Sequence, residues 1–275
     1  MSDNEKIIAV AYNHSRKAGN PGDVWKHFIL VALADVVAGK SGTFQYVETH
    51  CGAPVHRLAE TGEWTEGIGA IPKGSIDDSG YLSIARDWLK TNQYPAGWVF
   101  TARQLARRFA GVQVHLFDTS RNVAAAYPPA EDLRLPGSVS VKFKRENGYL
   151  AVEQLAGPDL VFLDPPFHPD AKADWQSLVR TCSELRSRQI NFAVWYPYEG
   201  DTAESQVLLD KTDSNSWEVR WASSGQRPGR RQKGCGMLVS EGLIPAMKAL
   251  EEELTGMADR MGAELFIRQP VKQSR

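Results

Sequence analysis

Asp159-Leu160-Val161-Phe162-Leu163-Asp164-Pro165-Pro166-Phe167 is the stretch on which the fold turns. Its apolar run reads as a buried strand, and two prolines must end it because neither donates a ladder hydrogen bond and each fixes its own φ. Asp164 is therefore displayed at the carboxyl end of the strand. In an open α/β sheet that edge is where ligands bind. There a carboxylate and the Pro165 carbonyl can accept both hydrogens of an exocyclic amino group while Phe167 stacks on its ring. The N6 of adenine suits this device: its lone pair is delocalised into the ring, and acceptors holding both N–H bonds favour a pyramidal, more nucleophilic nitrogen. An Asp-Pro step is also an ordinary strand-to-turn boundary, so the surrounding chain has to decide between the two readings.

Working outward, apolar runs alternate with helical patterns. A helix is predicted over 23–37, and strands over 43–48, 112–118, 139–143, 159–163 and 190–196. Helical patterns fall between them near 98–110, 119–127, 147–156 and 171–188. Such alternation argues for a parallel, doubly wound sheet. Near the end, 217–222 and 237–240 are separated by a basic turn instead of a helix, which is a hairpin signal. Residues 55–94 break the pattern with Gly62, Gly67, Gly69, Pro72, Gly74 and Gly80, and a helical patch over 83–90. A structureless loop of that length is improbable inside a compact domain. The expected organisation is one α/β domain made of 1–54 and 95–275, interrupted by a small helical subdomain over 55–94.

That insertion also explains a spacing. In a nucleotide-binding α/β unit the ribose-binding acid follows the glycine loop by about 20 positions. Here Glu48-Thr49-His50-Cys51-Gly52-Ala53-Pro54 stands where the loop belongs, and Asp118 ends the next long strand far downstream. Removing the insertion brings the two close to the expected separation. By themselves, Glu48 and His50 read equally well as satisfied loop residues.

With 275 residues, 42% hydrophobic and 24% charged, the chain is of ordinary globular composition. Cys51, Cys182 and Cys235 form no Cys-x-x-Cys pair, so neither a disulfide framework nor a zinc site is indicated. No apolar stretch approaches a membrane span, and the start Met1-Ser2-Asp3-Asn4-Glu5-Lys6 lacks the marks of a secretion signal. A cytoplasmic protein without membrane contact, acting as a monomer, is the expectation. The net charge of −1 argues against a protein that coats nucleic acid through its overall field. Local clusters can still contact phosphates: Arg103, Arg107 and Arg108; Lys142, Lys144 and Arg145; and the loop Arg227-Pro228-Gly229-Arg230-Arg231-Gln232-Lys233. The loop is the best of these, with Arg230, Arg231 and Lys233 as its reaching cations.

The amino-terminal segment Tyr12-Asn13-His14-Ser15-Arg16-Lys17-Ala18-Gly19-Asn20-Pro21-Gly22-Asp23-Val24-Trp25-Lys26-His27 resembles the opening of the RlmJ family, the 23S rRNA adenine-N6 methyltransferases. Their pattern runs Tyr-x-His…Ala-Gly-Asn-x-x-Asp-Val-x-Lys-His. The likeness continues in order at Thr49-His50-x-Gly52, Tyr94-Pro95, Asp118, Asn147-Gly148, Asp164-Pro165-Pro166-Phe167, Trp195-Tyr196-Pro197 and Gly234-Cys235-Gly236-Met237. It implies a seven-strand, Rossmann-like sheet of the S-adenosylmethionine-dependent methyltransferases carrying an inserted helical subdomain. The implied cofactor is S-adenosyl-L-methionine, and the implied substrate is an adenosine of naked or partly assembled large-subunit ribosomal RNA. Carried over by position, Asp164, Pro165 and Phe167 are the catalytic residues. Lys26, His27, His50 and Asp164 line the cofactor pocket, Asp118 takes the ribose, and Asn147 with Gly148 meets the cofactor's adenine. Gly97 stands where the family has a cofactor-contacting serine. Tyr12 and His14 match the tail that folds over the site toward the target base. The chain departs from the pattern at Asn13, Lys17, Glu48, Pro54, Gly97, Phe167 and His168. A DNA adenine-N6 methyltransferase and a catalytically silent RNA-binding relative stay open as alternatives. No metal is expected, because a sulfonium is already an activated leaving group.

Overall fold

The computed structural model describes residues 16–39, 42–72, 80–127, 133–167, 171–200, 203–221 and 232–271. In chain order they form α1 (Pro21–Val36), β1 (Thr43–Glu48), β2 (Val55–Arg57), α2 (Tyr81–Leu89), β3 (Gln93–Pro95), α3 (Gly97–Leu105), β4 (Gly111–Phe117), α4 (Arg121–Ala125), β5 (Val139–Lys144) and α5 (Gly148–Gln154). There follow β6 (Leu160–Leu163), α6 (Ala171–Ser187), β7 (Asn191–Tyr198), α7 (Ala203–Thr212), β8 (Asn215–Trp221), β9 (Gly234–Val239), α8 (Ile244–Ala249), α9 (Glu251–Arg260) and β10 (Ala263–Arg268).

The main sheet runs β10-β8-β9-β7-β6-β1-β4-β5. Its segment from β5 to β7 is parallel, while β9 lies antiparallel to both β7 and β8. Strand order therefore reverses between β1 and β6, and the crevice above that point is where an open α/β sheet binds its ligand. All four residues of β6 are buried, as a central strand covered on both faces requires. The predicted hairpin is present as β8–β9. The Rossmann-like class holds but the seven-strand expectation needs correction: among the described residues the sheet has eight strands, because β10 adds antiparallel to β8 at the edge. Its Ala-Glu-Leu-Phe-Ile-Arg sequence gave no clear burial signal, since an edge strand is only half covered.

One core lies on the face of the sheet covered by α1 and α3, with Trp25, Phe44, Tyr46 and Phe100 among its large side chains; a second, on the α6 face, includes Val161, Leu178 and Phe192. Within 55–94, β2 and β3 pair as an antiparallel ribbon that places Val55 opposite Pro95, and α2 follows a short 3-10 turn at Glu63–Thr65. Ile68, Tyr81, Ile84, Trp88 and Tyr94 of this segment are buried in the same core as α1 and α3. This segment thus shares its buried side chains with the core beneath α1 and α3.

Helix α1 starts where the sequence supplies a cap: the Asn20 side chain accepts from Asp23 N–H at 2.9 Å, with Pro21 in the first turn. At its other end the guanidinium of Arg108 donates to the carbonyls of Ala34 and Val37. Arg108 therefore serves the fold, as does Arg103 of the same cluster, whose guanidinium donates to the Arg134 carbonyl. Among the described residues no helix is long and apolar enough to cross a membrane.

Candidate active site

Parallel pairing fixes which loops meet. Glu48 sits beside Leu116 and Phe162, Leu163 beside Val194, and Phe117 beside Lys144. The loops after β1, β4, β5, β6 and β7 thus open at one edge, which gathers His50, Gly52, Asp118, Asn147, Asp164 and Phe167.

Lys26 joins them from α1. Its ammonium lies 2.7 Å from Asp164 Oδ2 and 2.9 Å from Asp23 Oδ1, and 5.5 Å from the centre of the Trp195 ring. Burial works against this ammonium, yet Asp164 and Asp23 outweigh it and hold its pKa above the ordinary lysine value. Asp23 also accepts from Gly19 N–H at 2.9 Å. The pair anchors Asp164 through a cation that stays charged at any physiological pH.

Phe167 adopts φ +51°, a left-handed conformation that is uncommon for a bulky residue. Its ring is 5.0 Å from Trp175 of α6 and 6.5 Å from Trp195 of β7. Strained backbone of this kind persists where packing over-determines it. Pro165 is buried and Pro166 exposed, so the two prolines turn the chain between the strand and this aromatic group.

On the other side of the switch point, Asp118 accepts from Gly52 N–H at 3.2 Å and Ser120 N–H at 2.8 Å. Gly52 has φ +60°, and a Cβ added to it would meet nothing within 4 Å. The loop turns there onto open space. Gly148 packs directly on the loop, since a Cβ on it would lie 2.0 Å from the Thr49 carbonyl oxygen. Asn147 caps α5 by accepting from Tyr149 and Leu150 N–H. A half-buried carboxylate, a glycine turned toward open space and a close backbone approach make a donor and acceptor set that fits a nucleoside-bearing cofactor.

Two titratable groups underlie this floor. Burial pushes the Glu48 carboxyl up to about 8, with the Asp164 charge adding to it, while Tyr46, whose hydroxyl donates to Glu48 Oε1 at 2.6 Å, and Lys26 pull the other way. Burial holds the His50 imidazole down, to about 4; its Nδ1 is 2.8 Å from Thr49 Oγ1 and its ring stands edge-on to Tyr149.

His27 and Gly97 lie beneath this edge. His27 Nδ1 is 2.9 Å from the Tyr94 hydroxyl, itself 2.8 Å from the Tyr81 hydroxyl. A Cβ at position 97 would lie 3.0 Å from His27 Cδ2. Glycine leaves room for the imidazole. Lys233 is exposed at the start of the hairpin's return strand, its N–H donating to Tyr198 O and its carbonyl accepting from Trp221 N–H. Because β8 points the same way as β7, its last residue, Trp221, lies at the edge that carries Asp164. Tyr12, His14, His168, Arg230 and Arg231 lie outside the described residues. Sequence reasoning missed Trp175, whose place on the amphipathic α6 gives it the look of any core aromatic, and the role of Asp23 as the second partner of Lys26.

The strand order, with its reversal at β1 and antiparallel β9, is that of a Rossmann-like sheet. No family model matches the chain. Ribosomal RNA large subunit methyltransferase J of Haemophilus influenzae is 29% identical over 208 residues, spanning 68% of this chain and 70% of that protein. The protein of the same name from Escherichia coli K12 is 28% identical over 202 residues, again 68% and 70%. These relatives bear out the resemblance to the RlmJ family. A crystal structure of a Legionella pneumophila protein superposes with a TM-score of 0.73 at 22% identity, covering 93% of this chain and 99% of that one, and so shares the fold. The cofactor implied by fold and relatives is S-adenosyl-L-methionine.

Proposed function

We propose that the protein methylates the N6 of an adenosine in large-subunit 23S ribosomal RNA. The observation that carries the reading is Asp164, set at the carboxyl end of β6 beside a strained Phe167 and held by the ammonium of Lys26 at 2.7 Å. Bound S-adenosyl-L-methionine supplies a methyl group already activated on a sulfonium. The chain's own residues prepare the acceptor. Asp164 and the Pro165 carbonyl accept the two N6 hydrogens and draw the nitrogen toward a pyramidal, nucleophilic state. Lys26 fixes the carboxylate so that no reorganisation is needed at that moment. Phe167 stacks on the base, a contact worth roughly 1–3 kcal/mol, and Trp175 and Trp195 keep its ring in place. Asp118, Gly52, His50, Asn147 and Gly148 are the residues that would hold the cofactor, with His27 and Gly97 supporting the pocket from below.

Ribosomal RNA as substrate is supported by the names of the two curated relatives and by the sequence match over 12–27. A looped RNA base is already partly unstacked, whereas extruding one from a duplex costs a few kcal/mol. Transfer of tritiated methyl to unmodified 23S RNA and, side by side, to unmethylated duplex DNA tests the assignment. RNA is expected to be the better acceptor by far. Preference for DNA would overturn the ribosomal reading and leave the adenine chemistry standing, and failure to bind the cofactor in calorimetry would indicate a silent relative.

A further inference from the structure

Parallel sheets are buried on both faces because their crossover helices cover them. At β4–β5 that cover is incomplete. Val112, Val114 and Leu116 of β4 face one core, and Val141 and Phe143 of β5 pack against it. On the opposite face the crossover from β5 to β6 contains α5, with seven residues against six in the strand. At 1.5 Å per residue the helix is about 10 Å long, whereas the strand runs about 20 Å. Among the described residues, β1 and β4 contribute Val47 and Phe117, toward the upper end, to the buried cluster on this face that Tyr149 of α5 joins.

Beside and below Val47 and Phe117, Gln45, Gln113 and His115 are half-exposed, and Ser140, Lys142 and Lys144 are exposed. Alternation puts them on the same side of their strands. Register sets Gln45 beside Gln113, Gln113 beside Ser140, and His115 beside Lys142. The strip contains no apolar side chain. It is also positive: besides partial burial, Lys142 and Lys144 hold the His115 imidazole below its ordinary value. Glu146 lies 3.8 Å from Lys144, but both are more than half exposed, and pairs so exposed are weak and screened by salt. Lysines on β5 also blunt an open sheet edge; that role does not account for the polar residues of β4, an inner strand.

We propose that this strip binds the phosphate backbone of the RNA strand whose target base enters the Asp164 site. The inference rests on the RNA reading above. Lys144, exposed on the edge strand beside the covered Phe117, carries the strip past that cover, and its carbonyl accepts from Asp118 N–H, so one strand of RNA can follow the edge to the crevice that holds Asp164. The lysines neutralise phosphates, and Ser140, Gln113 and Gln45 supply hydrogen bonds for phosphate and 2′-hydroxyl oxygens.

The double substitution Lys142→Ala/Lys144→Ala in the full chain tests it, with a labelled 23S RNA fragment titrated at several salt concentrations and methyl transfer followed in parallel. The slope of log K against log salt is expected to fall by roughly 1.4, at about 0.7 for each phosphate contact on a single strand. KM for RNA should rise while kcat and cofactor affinity stay as in the wild type, and Lys142→Arg/Lys144→Arg should keep the wild-type slope. An unchanged slope and KM in the alanine variant, beside a wild type that binds and methylates RNA, overturns the strip alone. A wild type that does not bind RNA overturns the strip and the RNA reading together.

Discussion

Substitution of Lys26 by methionine keeps most of the length and apolar stem of the side chain and deletes its charge. In the wild type one ammonium serves Asp164 and Asp23, with the three side chains 11%, 19% and 9% exposed in that order. A buried ion pair stabilises little over a well-packed apolar substitute, but removing one partner strands the other at a cost of about 3–5 kcal/mol. Asp23 keeps its bond from Gly19 N–H, and Asp164 is the more exposed carboxylate. A loss in the lower half of that range, about 3–4 kcal/mol, is therefore expected. Adding Asp23→Asn to Lys26→Met should recover part of it, with a coupling of about 1–3 kcal/mol. Urea unfolding followed by tryptophan fluorescence measures both quantities. Neutral pH is the right condition: a lysine whose folded pKa is raised contributes stability that is fully present below the unfolded value of 10.5 and lost as pH climbs through the higher folded value. A loss under about 1 kcal/mol, or strictly additive substitutions, would refute the claim that this cation holds the site together.

Asp118→Ala should weaken S-adenosylmethionine binding by about 1.5–3 kcal/mol, the worth of a hydrogen bond to a charged group; an unchanged dissociation constant in calorimetry would detach the end of β4 from the cofactor. Glu48 is raised from 4.5 to about 8, so its neutral form belongs to the fold and its contribution is lost as pH rises from the lower value through the higher. Wild-type urea midpoints should drop over that window by more than those of Glu48→Gln, with a ceiling on the order of 5 kcal/mol at 1.36 kcal/mol per unit. Equal pH dependence in the two proteins would show that Glu48 does not titrate as its burial demands. Gly97→Ser puts a Cβ 3.0 Å from the His27 ring and should lower stability by about 1–3 kcal/mol through overpacking; a melting temperature at or above wild type would mean that the imidazole has room to move.

The parts of the fold set by local pattern were legible. β1 occupies its expected residues, and β6 ends at Leu163 because proline cannot continue a ladder. Parallel order followed from strand-helix alternation, and the final hairpin from the missing crossover helix. What escaped depends on tertiary partners. β10 is half covered on a sheet edge, and the 55–94 segment hides in the common core side chains that its glycine-rich sequence does not advertise. In the site, Asp164 and Phe167 announced themselves by their place after a buried strand. The Asp23–Lys26–Asp164 bridge did not, because it joins α1 to a strand end 138 residues away. Arg103 and Arg108 read as surface cations in the sequence, because the backbone carbonyls they bond, of Arg134, Ala34 and Val37, lie far along the chain.

The most direct test of the account is nucleoside mass spectrometry on unmodified 23S RNA after incubation with the protein and methyl-labelled S-adenosylmethionine, run for the wild type and for Asp164→Ala. The account predicts label in N6-methyladenosine with the wild type. With the variant it predicts no label, while cofactor affinity stays within a few-fold and the unfolding transition stays cooperative. Label in any other nucleoside, or near-normal N6-methyladenosine from Asp164→Ala, would contradict it.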